Sequence, residues 1–289
     1  MTLKNLVYYA DNLSVLSRIE DESIDLVYID PPFNTGKVQS RKNTKAVKAK
    51  DGKGSRKGFC GKGYDLVDMG DVLSYTDSYS DQYLTFLKLR LSHVKRILKP
   101  SGSVYLHLDY REVHYAKVLG DSIFGRDNFL NEIVWAYDYG AKPKTRWPAK
   151  HDTILMWVKS KGDHLFNVED IDRIPYMAPG MVSKEKAARG KLPTDCWWHT
   201  IVAPTGKEKT GYPTQKPLGV LERIIRASSP AGGTVLDFFA GSGTTGEAAL
   251  KLGRQFILVD SNDQAIKVIR KRLAPYVAEG HKVSFIKKK

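Results

Sequence analysis

Strand and helix signals alternate along this 289-residue chain, which predicts an α/β fold with a mostly parallel sheet and helices on both faces. Two observations carry that expectation. Short apolar runs recur at 6–9, 25–29, 103–108, 153–158, 234–239 and 255–259, each of a length that suits a buried strand. Between two of them, Leu84, Leu87, Leu91, Val94 and Leu98 repeat at helical spacing, and Pro100 closes that helix. The length suits one domain with a sizeable insertion.

Composition narrows the partner. The chain carries 46 Lys+Arg against 32 Asp+Glu, a net charge of +14, which favours a polyanion and nucleic acid first. No apolar run approaches the roughly 20 residues of a membrane span, and the first residues lack the apolar core of a signal peptide. Cys60 and Cys196 show no paired spacing, so a reducing cytosol is the expected compartment. The histidines are scattered, and no bound metal is expected.

Taken in order, the run at 25–29 ends in Asp30-Pro31-Pro32-Phe33. A buried parallel strand that stops at two prolines places this tetrapeptide at the C-terminal sheet edge, where α/β folds bind ligands. Asp30 is an acceptor, the prolines leave backbone carbonyls free to accept, and Phe33 offers a flat face. Together they suit a planar ring with an amino group; a solvated Asp in a turn is the plain alternative. The next stretch, about 37–64, holds ten Lys or Arg by residue 62, with Gly52, Gly54, Gly58 and Gly61. It is expected to be a mobile basic loop. Following Asp30 so closely, it suggests DNA contact through Lys37, Arg41 and Lys42. A second irregular stretch, 138–212, is rich in Pro, Gly, Lys and Trp and is expected to be a small inserted subdomain. Most such cations meet phosphate and set register.

The run at 234–239 continues into Ala240-Gly241-Ser242-Gly243-Thr244, a glycine turn before a helix. Gly241 and Gly243 let the backbone pass close under a nucleotide-like cofactor. Asp260 ends the next strand, placed to accept from ribose hydroxyls. This pattern alone also admits an NAD-dependent dehydrogenase.

Combined with Gly211-Tyr212-Pro213-Thr214-Gln215-Lys216-Pro217, these motifs resemble the β-class DNA amino-methyltransferases, which use S-adenosyl-L-methionine. The resemblance covers most of the chain outside the basic loop and the insertion. It implies a Rossmann-like methyltransferase fold in circularly permuted motif order. The catalytic half would be 1–137, target recognition 138–212 and cofactor binding 213–289. It assigns catalysis to Asp30, Pro31, Pro32 and Phe33. Phe239, Ala240, Gly241, Ser242, Gly243 and Thr244 would line the cofactor, with Asp260 on its ribose. Thr214, Gln215 and Lys216 would sit near the methionine end, Lys216 suiting the methionyl carboxylate. Asp11 is a further cofactor candidate, although a helix N-cap explains it equally well. Lys142, Lys144 and Arg146 would meet DNA. The implied partners are double-stranded DNA, a cognate restriction endonuclease and a second copy of the chain. Aspartate at the head of the first motif favours adenine-N6 over cytosine-N4. Rival readings are an RNA or protein amide methyltransferase and a non-catalytic DNA binder.

Overall fold

The computed structural model describes residues 5–34, 37–41, 44–48, 56–57, 63–68, 73–77, 82–138, 143–203 and 206–287, with the strands between 37 and 77 given by their backbone. β1 (Asn5–Tyr9), α1 (Asn12–Leu16) and β2 (Ile24–Ile29) open the chain. Five short strands follow: β3 (Lys37–Arg41), β4 (Thr44–Lys48), β5 (Arg56–Lys57), β6 (Gly63–Asp68) and β7 (Leu73–Asp77). α2 (Tyr83–Ile97) runs straight into β8 (Leu98–Leu108), then come α3 (Val113–Phe124), β9 (Phe129–Ala136) and β10 (His151–Val158). α4 (Lys184–Arg189), β11 (Cys196–Trp198) and α5 (Leu218–Ser228) lead to β12 (Thr234–Asp237), α6 (Thr244–Lys251), β13 (Gln255–Asp260), α7 (Asp263–Ala278) and β14 (Val283–Lys287).

Nine of these strands form one sheet in the order β11-β9-β10-β8-β2-β12-β13-β1-β14. Only β10 runs antiparallel to its neighbours; every other pairing is parallel. The unbroken apolar runs follow from burial on both faces. In β2, Val27 and Ile29 join a core cluster with α1, α2 and α3, while Leu26 and Tyr28 join a second with α5, α6 and α7. β13 divides likewise, Ile257 and Val259 to the first cluster, Phe256 and Leu258 to the second. Val220, Leu221, Ile224 and Ile225 bury one side of α5, each contributing about 1.5–3 kcal/mol relative to exposure. Among the described residues, no helix is long and apolar enough to cross a membrane.

Two expectations change. The basic stretch read as an irregular loop contains β3, β4, β5 and the start of β6. β3 pairs antiparallel with β7, and β6 pairs with β4 and β5. The partner strands lie further along the chain, so local Lys and Gly density carried no sign of the pairing. The insertion drawn as 138–212 is also not wholly separate. It includes β10, a core strand seated between β8 and β9 and buried from Asp152 to Val158. Composition around β10 is loop-like, but the strand itself alternates into both core clusters, Leu155 and Trp157 to one and Ile154, Met156 and Val158 to the other.

Candidate active site

Five neighbouring parallel strands, β8, β2, β12, β13 and β1, each meet an aspartate at or just past the C-terminal end: Asp109, Asp30, Asp237, Asp260 and Asp11. An open cleft of about 630 Å³ lies along this edge, and all but Asp109 line it. That volume suits a nucleotide-sized ligand, and the edge is the usual one for α/β folds.

At the end of β2, Asp30 Oδ2 accepts from Lys216 Nζ. Its other oxygen, Oδ1, is buried with no hydrogen-bond partner among the described residues. The family resemblance suggests Lys216 for the methionyl carboxylate; in the structure its ammonium is held by Asp30 and lies 5.2 Å from the Phe33 ring centre. Pro32 lines the cleft, whereas Pro31 is buried and Phe33 is half-buried against the first core cluster. Asn34 adopts a φ of 54° and donates to Glu112 at 2.8 Å, which closes the turn after the prolines.

The glycine turn is held by the acids on either side of it. Asp237 accepts from the Phe239 N–H at 3.0 Å and the Thr245 hydroxyl at 2.6 Å. Burial, with the charges of Asp30 and Asp260 adding to it, pushes Asp237 up to about 7. Asp260 accepts from the N–H groups of Gly241 and Asn262, each at 2.8 Å, and burial pushes it up to about 6. Gly243 sits at φ 74° as the N-cap of α6, and a Cβ there would lie 2.8 Å from Ile269. A Cβ on Gly241 would lie 3.3 Å from the Tyr212 ring, which covers the turn. Gly243 therefore shapes the turn without lining the cleft; Phe239, Ala240, Gly241, Ser242 and Thr244 line it.

Thr214, Gln215 and Lys216 also line the cleft. Gln215 accepts from the Thr210 N–H at 2.9 Å and donates to the Glu208 carbonyl at 2.8 Å. Its amide thus clamps its own loop. Asp11 caps α1 by accepting from the Ser14 N–H at 3.2 Å, so the capping alternative describes its hydrogen bond. Several site residues escaped the sequence reading. Asn12 donates to the Phe238 carbonyl at 3.0 Å and accepts from Arg90 at 2.9 Å, and Arg90 stacks 3.6 Å over Phe86. Asp237 had a signal: it ends an apolar run as Asp30 does.

A DNA methylase family, that of the N6/N4 methyltransferases, matches residues 24–271. The chain belongs to this family of S-adenosylmethionine-dependent DNA amino-methyltransferases. Type II methyltransferase M.HpaI of Haemophilus parainfluenzae is 30% identical over 261 residues, 90% of this chain and 71% of the relative. DNA adenine methyltransferase YhdJ of Escherichia coli (strain K12) is 28% identical over 280 residues, 92% of this chain and 82% of the relative. Two solved structures share the fold. M1.HpyAVI in complex with SAM has a TM-score of 0.57 at 21% identity, covering 93% of this chain and 98% of that one. The cytosine-N4-specific PvuII DNA methyltransferase has a TM-score of 0.60 at 16% identity, covering 98% of this chain and 95% of that one.

The cleft of this N6/N4 methyltransferase fits the family's cofactor. Its glycine turn leaves room for close approach, its acids flank that turn, and Phe239 and Ala240 supply apolar wall. On the expected DNA side, Lys144 and Arg146 are exposed, and Arg146 donates to the Tyr110 hydroxyl at 3.0 Å. Trp147 is 93% exposed. The tryptophan pair of β11 divides: Trp197 is buried, with its indole N–H on the Thr194 carbonyl, while Trp198 is 77% exposed. Lys37 and Arg41 are known by backbone only, at the two ends of β3, and Lys42 and Lys142 lie outside the described residues.

Proposed function

We propose that the chain methylates the exocyclic N6 of an adenine flipped out of double-stranded DNA. The observation that carries this reading is the buried Oδ1 of Asp30 beside the cleft, which has no partner among the described residues. A buried acceptor without a donor is costly unless a ligand supplies one. An amino group on a flat ring is a fitting donor.

A paired base offers its amino nitrogen no in-line approach, so the base must leave the stack at a cost of a few kcal/mol. Stacking against Phe33 returns about 1–3 kcal/mol, and phosphate contacts from Lys144, Arg146, Lys37, Arg41, Lys42 and Lys142 supply the rest. Asp30 Oδ1 and the Pro31 carbonyl accept the two N–H protons and turn the nitrogen lone pair out of conjugation with the ring. When bound, S-adenosylmethionine would supply an electrophilic methyl to that nitrogen, with the C–S pair kept by sulfur and the amine proton passing to Asp30 Oδ1, which already accepts its hydrogen bond. Phe239, Ala240, Gly241, Ser242, Thr244, Thr214, Gln215, Asp11 and Asp260 would hold that cofactor, with Gly243 shaping the turn, and positioning of the two reactants supplies most of the acceleration.

Aspartate at the head of the motif and the likeness to an adenine methyltransferase support N6. The test is direct. Methylation-free duplex DNA is treated with the chain, digested to nucleosides and weighed by mass spectrometry. N6-methyladenine is expected. N4-methylcytosine would move the activity to the other base, and neither product would remove the proposal.

A further inference from the structure

A buried polar chain crosses one face of the sheet behind the cleft. Tyr28 on β2, His107 on β8, Asp152 on β10 and Tyr137 just past β9 stand on neighbouring strands in the order β9-β10-β8-β2. The Tyr28 hydroxyl meets His107 Nδ1 at 2.8 Å, and His107 Nε2 meets Asp152 Oδ2 at 3.2 Å. The Tyr137 hydroxyl donates to Asp152 Oδ1 at 3.0 Å. His107 is wholly buried, and Tyr28 and Asp152 are nearly so, so water cannot stand in for a missing partner.

The proton order along the chain follows from its members. Burial opposes charge on Asp152, but the hydrogen bond and the charge of His107, then Lys216 nearby and the Tyr137 hydrogen bond, hold it below its ordinary value. Burial raises both phenols, with Asp30 adding to Tyr28 and Asp152 to Tyr137, so both stay protonated. A carboxylate at Asp152 accepts from Tyr137 and from His107 Nε2–H. With the ring neutral, Nδ1 is left to accept from Tyr28, and every group is satisfied.

The two ends of the chain meet different parts of the molecule. At one end Tyr28 lines the cleft two residues before Asp30, and the His107 ring lies 6.0 Å from the Phe33 ring. At the other, the Tyr137 N–H donates to the Lys150 carbonyl at 2.9 Å. Tyr137 and Asp152 thereby close the base of the segment that carries Lys144, Arg146 and Trp147. Trp135 sets its ring edge-on to His107, and its indole N–H donates to the His199 carbonyl at 2.7 Å, beside exposed Trp198.

We propose that Asp152 and His107 are positioning residues for methyl transfer, holding the Tyr28 and Phe33 side of the base pocket in register with the segment that grips DNA. This rests on the methyltransferase reading above. Asp152→Asn breaks the order at its centre. An amide must present N–H to one of the two: facing His107 it reverses the ring's donor and acceptor and turns the Tyr28 hydroxyl away, and facing Tyr137 it breaks the bond that ties the chain to the DNA-side segment.

The test uses the full chain and duplex DNA carrying the site that the wild type methylates. S-adenosylmethionine affinity is measured by calorimetry, DNA affinity at fixed salt, and transfer in a single turnover with both saturating. Asp152→Asn is expected to leave both affinities within about threefold and to slow transfer about 100-fold, as a small misplacement of a reactant does. Tyr28→Phe, which removes one oxygen, is expected to slow it about tenfold, and the double variant to fall little below Asp152→Asn, because both act through one chain. Wild-type rates in either variant overturn the proposal. So do losses that track cofactor affinity, or losses that simply multiply in the double variant. If Asp152→Asn fails to bind cofactor at all, Tyr28→Phe alone decides by its rate. A wild-type chain that methylates no amino base overturns the parent reading instead.

Discussion

The ends of β2 and β12 lie side by side and each carries an aspartate, yet the two carboxylates are held in opposite ways. Asp237 uses its oxygens inside the fold, on the Thr245 hydroxyl and the Phe239 N–H. Asp30 gives one oxygen to Lys216 and keeps the other buried without a partner among the described residues. A fully engaged carboxylate is wall; a half-engaged one has capacity left for a ligand. Place on the sheet edge does not separate the two, but bonding does.

The largest effect that would break this contrast is Asp30→Ala. Single-turnover transfer should fall on the order of 10³-fold while calorimetric cofactor affinity holds. Undiminished transfer would place Asp30 with the wall residues. On the β12 side the expected readout is stability. The folded value of Asp237, about 7, lies above the ordinary 3.8, so the folded state holds this proton more tightly than the unfolded chain. Its stabilising contribution is complete below about 3.8 and is lost as pH rises through about 7, a loss on the order of a few kcal/mol. Denaturant midpoints should therefore fall across that window, and Asp237→Asn should flatten the slope.

Gly243→Ala sharpens the same side. Its φ of 74° and the Ile269 side chain 2.8 Å from the new Cβ predict a loss of about 1–3 kcal/mol in denaturant unfolding. Cofactor affinity should weaken, with little change in transfer rate at saturating cofactor. The smallest effect concerns the DNA grip. Arg146→Ala should weaken duplex binding and reduce the slope of log affinity against log salt by about 0.9. An unchanged slope would remove Arg146 from the phosphate contacts.

The strand ends were legible because their cause is local. A strand buried on both faces writes an unbroken apolar run, and a polar residue marks where it meets the cleft; hence Asp30 and Asp260 stood out, and Asp237 carried the same sign unread. The glycine turn was legible for a similar reason: positive φ at 241 and 243 favours residues without a Cβ. Tyr28, His107 and Asp152 were not. Each is one polar or aromatic residue within an apolar strand, and nothing in its own segment names the partner. The strands at 37–77 were hidden in the same way, since most of their pairing residues lie beyond the basic stretch.

The sequence by itself therefore determined the α/β layering, the strand ends that form the cleft and the order of the two motif regions. These depend on the periodicity of burial within single segments. Tertiary structure alone decided that β10 enters the sheet between β8 and β9, that Lys216 reaches Asp30 across 186 residues, and that His107 joins Tyr28 across 79 and Asp152 across 45. Such contacts arise only when parallel crossovers bring distant strands together, and their geometry decides which of several similar aspartates is left with an oxygen to offer.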